Sequence, residues 1–136
     1  MKSVAKPHAK PLTGKVALVT GGARRLGHST ALALASAGAD VAITYRKSDR
    51  EAGQTVAALE ATGIRAAALP CDITNELSVR RMIAATVKQF GQLDILVNNA
   101  ANYETAAFSK ISLAQWDAIF ASNVRGPFLV RSEERR

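Results

Sequence analysis

Cysteine is nearly absent from this chain. Cys71 stands alone among 136 residues, which excludes an intramolecular disulfide and fits a reducing compartment. No apolar run approaches the roughly 20 residues that a membrane-spanning helix needs. The basic, proline-containing stretch Met1 to Pro11 lacks the apolar core of a secretory leader, so a cytoplasmic location is expected. Aromatic residues are scarce, at 5%. None interleaves with the basic pairs Arg24-Arg25, Arg46-Lys47 and Arg80-Arg81 as a base-stacking surface requires. The net charge of +7 is therefore not read as a nucleic-acid footprint, because it is spread over both ends and isolated pairs. No metal site, internal repeat or low-complexity segment is expected.

What is present reads as one domain with an ordinary balance of 48% hydrophobic and 21% charged residues. Residues 1–12 are expected to be a disordered basic tail, residues 13–130 the folded part, and residues 131–136 a charged end foreign to the pattern before it. Short apolar runs predict strands at Val16–Thr20, Val41–Tyr45, Arg65–Leu69 and Ile95–Asn98. Their continuous rather than alternating character suits parallel strands covered on both faces. Helices are predicted at Arg25–Ala37, at Arg50–Thr62 after Ser48-Asp49, and at Asn75–Phe90. Each stops at a glycine: Gly38, Gly63 and Gly91. In the third helix Val79, Ile83, Val87 and Phe90 form the predicted buried stripe. A fourth helix begins at Ser112, where Gln115 completes a capping box. Strand-helix units of this length predict a parallel sheet with helices on both sides.

The chemistry concentrates at Thr20-Gly21-Gly22-Ala23-Arg24-Arg25-Leu26-Gly27, between the first strand and the first helix. Glycine lets the backbone approach a ligand, and the helix start offers free N–H groups and a positive dipole end to an anion. A nucleotide cofactor is the expected occupant. At the end of the second strand an NAD site usually carries an acid for the ribose hydroxyl. Here Tyr45, Arg46, Lys47 and Ser48 stand instead. A fork-shaped cation and a hydroxyl suit a 2′-phosphate, so NADP(H) is favoured over NAD(H), although solvated surface cations would give the same pattern.

Four motifs in order resemble the N-terminal part of the short-chain dehydrogenase/reductase family: the Thr20–Gly27 turn, Cys71-Asp72-Ile73, Asn98-Asn99-Ala100-Ala101, and Asn123. The resemblance runs from about Thr13 to Phe128. It implies an incomplete three-layer Rossmann-like sheet of about four strands in order 3-2-1-4. It also implies roles. Thr20, Gly21, Arg24, Arg25, Leu26 and Gly27 make the pyrophosphate turn, with Tyr45, Arg46 and Ser48 beside it. Asp72 and Ile73 meet the adenine, and Asn99, Ala100 and Ala101 line the riboses, while Asn98 braces the sheet. Asn123 is the asparagine of the family's catalytic tetrad and holds a water through its backbone. Arg25, where the family commonly has glycine, resembles the pteridine-reductase-like branch, which uses NADPH. Tyr103 is open to either substrate or solvent.

The family's reaction also needs a serine and a Tyr-x-x-x-Lys pair. Tyr45 and Tyr103 are the only tyrosines, neither has a lysine four residues on, and no lysine follows Lys110. The resemblance thus implies an NADP(H)-dependent oxidoreductase acting on a carbonyl, C=N or pterin-like substrate, read here as truncated before its catalytic pair. The alternatives are a non-catalytic NADP(H)-binding fragment and a non-functional truncated product. With the fourth strand left as an apolar edge, self-association through it is expected.

Overall fold

The computed structural model describes residues 9–134. Strands β1 (Val16–Val19), β2 (Asp40–Tyr45), β3 (Ala66–Pro70) and β4 (Ile95–Val97) form one parallel sheet in the order β3-β2-β1-β4. Val19 at the end of β1 is level with Ile43 and Val97. The C-terminal strand ends therefore open at one edge, where a parallel sheet presents its loops to a ligand.

Alternation along β1 divides the core in two. Ala17 and Val19 face α1 (Arg25–Ser36) and α2 (Asp49–Glu60), joined by Val41 and Ile43. Val16 and Leu18 face α3 (Glu76–Phe90) and α5 (Gly126–Glu134), joined by Ala42 and Ala67. The first layer is lined by Ala31, Ala35 and Ala52, small side chains that let the helices lie close to the sheet. The second uses larger ones, Met82, Ile83, Phe90 and Val130. Each fully buried Leu or Ile contributes about 2–3 kcal/mol.

The strands and helices lie where the sequence predicts them, with ends displaced by a few residues. Helix α3 is capped by the Asn75 side chain, which accepts from Ser78 N–H, and ends at Gly91 in the left-handed region (φ 86°). Its buried stripe needs one correction. Val79, Met82, Ile83, Thr86 and Phe90 are buried, whereas Val87 is 44% exposed. Eight residues beyond Val79, Val87 has turned past the sheet, and the i+3 and i+7 positions take its place.

Of the tail predicted over residues 1–12, residues 1–8 lie outside the described part. Leu12 donates its N–H to the Ala37 carbonyl and packs against the α1–α2 layer. After β4 the chain runs without regular structure to a 3-10 turn at Phe108–Lys110, then α4 (Leu113–Phe120) and a π-helical segment (Ala121–Arg125) that leads into α5. The capping box forms as predicted, Ser112 accepting from Gln115 N–H and Gln115 Oε1 from Ser112 N–H. No residue of α4 is buried. Gly126 lets α5 press onto Ile73, where a Cβ would meet Ile73 Cδ1 at 2.7 Å. Arg131 to Glu134 continue α5, and Glu133 pairs with Arg80 of α3 at 3.4 Å. Among the described residues no helix is long and apolar enough to cross a membrane.

Candidate functional site

The glycine turn is tied to the protein through its carbonyls. Asn99 Nδ2 donates to the carbonyls of Thr20 (3.0 Å) and Gly21 (3.1 Å), and the Thr55 hydroxyl donates to that of Ala23 (3.0 Å). Thr20 is buried beneath the turn, and its hydroxyl accepts from the N–H groups of Asn99 and Ala100, each at 3.0 Å. From β2, Thr44 accepts from Gly21 N–H through its hydroxyl and from Gly22 N–H through its carbonyl. The turn thus has the carbonyls of Thr20, Gly21 and Ala23 and the N–H groups of Gly21 and Gly22 all satisfied from within.

What it leaves outward is positive. The first intrahelical bond of α1 runs from His28 N–H to the Arg24 carbonyl. The N–H groups of Arg25, Leu26 and Gly27 therefore have no carbonyl one turn back. No acidic residue occupies the first turn of α1, and its N-cap Arg24 makes no side-chain cap. The helix dipole is left for an anion to complement. Arg25 adopts φ +51°, the left-handed region that costs a side-chain-bearing residue about 1–2 kcal/mol. Gly27 is required by space, since a Cβ there would overlap the Gly21 carbonyl oxygen and Asn99 Nδ2.

A cleft of about 540 Å³ opens over this turn. It gathers Gly21, Arg24, Arg25, Leu26 and Gly27 with Tyr45, Arg46 and Ser48 from the end of β2. Asp72 and Ile73 after β3, and Asn99, Ala100 and Ala101 after β4, complete it. Segments distant in sequence thus meet on one surface. Its lining carries four cations, Arg24, Arg25, Arg46 and Lys47, against the single carboxylate of Asp72. That carboxylate accepts from the Thr74 hydroxyl (2.7 Å) and the Thr74 N–H (3.0 Å). These bonds, with the nearby Arg46 charge, hold it below its ordinary pKa against the opposing effect of burial. Tyr45 donates its hydroxyl to Asp49 Oδ1 at 2.8 Å, and this bond, more than burial, raises its pKa. Ser48 starts α2 without using its hydroxyl as a cap.

Two of the predicted site residues lie off the cleft wall. Thr20 sits under it, as above. Asn123, in the π-helical segment, clasps Asn102: its Oδ1 accepts from Asn102 N–H and its Nδ2 donates to the Asn102 carbonyl, both at 2.8 Å. The brace expected from Asn98 comes from Asn99, because β4 ends at Val97 and Asn98 is exposed. Sequence reasoning passed over Thr44, Thr55, Thr74 and Asn102. Only Thr74, two residues after Asp72, carried a local signal, that of an Asx turn.

The sequence model of the family described as short chain dehydrogenase matches residues 15–133. An uncharacterized oxidoreductase of Methylorubrum extorquens is 41% identical over 118 residues, covering 87% of this chain and 48% of the relative. A 3-oxoacyl-[acyl-carrier-protein] reductase of Synechocystis is 38% identical, covering 87% of this chain and 48% of the relative. The chain thus spans about half the length of these curated relatives. A short chain dehydrogenase from Burkholderia cenocepacia, solved in complex with NADP, superposes with TM-score 0.89 at 42% identity, over 92% of this chain and 51% of that one.

Proposed function

This chain belongs to the short-chain dehydrogenase family, an oxidoreductase family, and from that premise we propose that its cleft holds NADP(H) in preference to NAD(H). One observation carries the reading: four cations and an uncapped helix start face a single cleft in which the end of β2 offers no acid. The fit follows from charge. The turn and the N–H groups of Arg25, Leu26 and Gly27 suit a pyrophosphate. Arg24, Arg46 and Ser48 suit the 2′-phosphate, with Tyr45 beside them. Asp72 and Ile73 receive the adenine, and Asn99, Ala100 and Ala101 the riboses. When bound, the nicotinamide supplies or accepts the hydride. Arg forks onto phosphate oxygens in a way that lysine does not, which assigns Arg46 rather than Lys47 the larger share of the selectivity.

In whole-length proteins of the family the proposed substrate is a carbonyl or C=N group, pterin-like compounds included. Its proton comes from a positioned acid, and Asn123 contributes a backbone-held water to that relay. These 136 residues contain no Tyr-x-x-x-Lys pair, and the role proposed for them is cofactor binding. Among the described residues β4 pairs with β1 alone.

Isothermal titration with NADPH and NADH tests the assignment. Wild type is expected to prefer NADPH. Arg46→Ala is expected to weaken NADPH about tenfold or more, as loss of a charge-assisted hydrogen bond does, with NADH changed less than about twofold. No binding of NADPH at millimolar concentration overturns the cofactor reading. Equal loss for both nucleotides overturns the role of Arg46.

A further inference from the structure

Two side chains that do not line the cleft hold the glycine turn from behind. Thr55 of α2 is 1% exposed and gives its hydroxyl proton to the Ala23 carbonyl at 3.0 Å. The same oxygen lies 2.8 Å from Nδ1 of His28, in the first turn of α1. A hydroxyl has one proton. With that proton committed to Ala23, Nδ1 of His28 carries a hydrogen and donates it to Thr55. The result is a relay of two hydrogen bonds from α1 through α2 to the turn.

The relay acts on one peptide plane. A trans peptide points its carbonyl and the following N–H in opposite directions. Drawing the Ala23 carbonyl toward Thr55 therefore turns the Arg24 N–H away from α2. A rotated peptide would present a carbonyl oxygen where an anion is to bind. Three other turn carbonyls have separate anchors: Asn99 holds those of Thr20 and Gly21, and His28 N–H holds that of Arg24. Among the described residues Thr55 alone supplies a side-chain bond to the Ala23 carbonyl.

We propose that Thr55 and His28 are positioning residues for the dinucleotide, setting the Ala23–Arg24 peptide so that the turn presents N–H groups rather than a carbonyl. This rests on the dinucleotide reading of the cleft. The pyrophosphate is common to both nucleotides, so the relay governs affinity for NADPH and NADH alike, unlike Arg46.

The test compares Thr55→Val, which keeps shape and loses the hydroxyl, with Thr55→Ser, which keeps the hydroxyl. Dissociation constants for NADPH and NADH are measured by isothermal titration well below the melting temperature of each variant. Thr55→Val is expected to weaken both nucleotides about tenfold and by the same factor, and Thr55→Ser to stay within about twofold of wild type. His28→Ala, which leaves the hydroxyl in place, keeps the proposal testable if Thr55→Val fails to fold, with an expected loss of about threefold for both. Unchanged constants in folded variants of a chain that binds overturn this inference alone, as does a loss confined to NADPH. Absence of binding by the wild-type chain overturns the cofactor reading, and this inference with it.

Discussion

Residues 16–97 and residues 102–134 differ in what their apolar side chains touch. In the first region Leu18, Ile43, Leu59 and Val79 are fully buried between sheet and helices. In the second, Trp116, Phe120, Val124 and Phe128 recur every four residues along α4 and its continuation, and all are exposed. Trp116 and Phe120 stack on each other, with ring centroids 4.7 Å apart, rather than on the sheet. Of α5, Gly126 and Val130 are buried and Leu129 packs against the core. The strand-helix region carries its own core, whereas the later region is a helical arm attached at α5. An apolar period of 3.6 residues marks an amphipathic face in both, but burial depends on whether a sheet lies beneath that face.

Core truncation tests this contrast most sharply. Leu18→Ala, in a central strand with no exposed surface, is expected to cost about 3–4 kcal/mol in urea unfolding. Trp116→Ala removes more atoms and is expected to cost only about 1 kcal/mol, the stacking contact and partial burial. Equal costs for the two would break the contrast and place α4 within the cooperative unit.

The same contrast explains how much was legible in advance. The order of strands and helices, the glycine turn and the Ser112 capping box depend on local patterns, and these stand in the sequence as period, cap and turn chemistry. Arg46 is legible because it follows a strand end, where a parallel sheet collects its loops, and Asp72 because it stands in a motif of the family that the chain resembles. Thr44, Thr55 and Asn102 are not, because their roles come from pairings across 23, 32 and 21 residues that no local pattern encodes. Asn98 and Asn99 show the limit most plainly. Two identical neighbours differ only in which one follows the strand far enough to turn back toward Thr20. Val87 shows the converse, a residue with the right period on a helix that has rotated past its sheet.

Within the first region, strain at the turn gives a smaller and opposite effect. Arg25 holds a left-handed backbone that glycine adopts freely. Arg25→Gly is expected to raise the stability of the ligand-free chain by about 0.5–1 kcal/mol while weakening NADPH binding. Denaturation and titration on the same variant check both signs. A destabilised Arg25→Gly would show that the Arg25 side chain contributes more to folding than its backbone costs.

The smallest expected effect lies within the first region, at the β1–β4 seam, where Asp94 fastens β4 to β1. Asp94 Oδ2 accepts from Val16 N–H at 2.8 Å and from Gln92 Nε2 at 2.7 Å, and Asp94 N–H returns to the Val16 carbonyl. The backbone bond from Val16, then those from Gln92 and the Lys15 charge, holds the carboxyl below its ordinary pKa. The native state therefore binds this proton less readily than the unfolded chain does. The resulting stability is complete above the ordinary carboxylate pKa of about 3.9. It is lost as pH falls through the lower native value. Asp94→Asn keeps an acceptor for Val16 but has no proton to gain. Its unfolding midpoint is expected to lie slightly below wild type at pH 7, and the gap to close as pH is lowered through that range. A gap that stays constant with pH would mean that the seam depends on the shape of Asp94 and not on its charge.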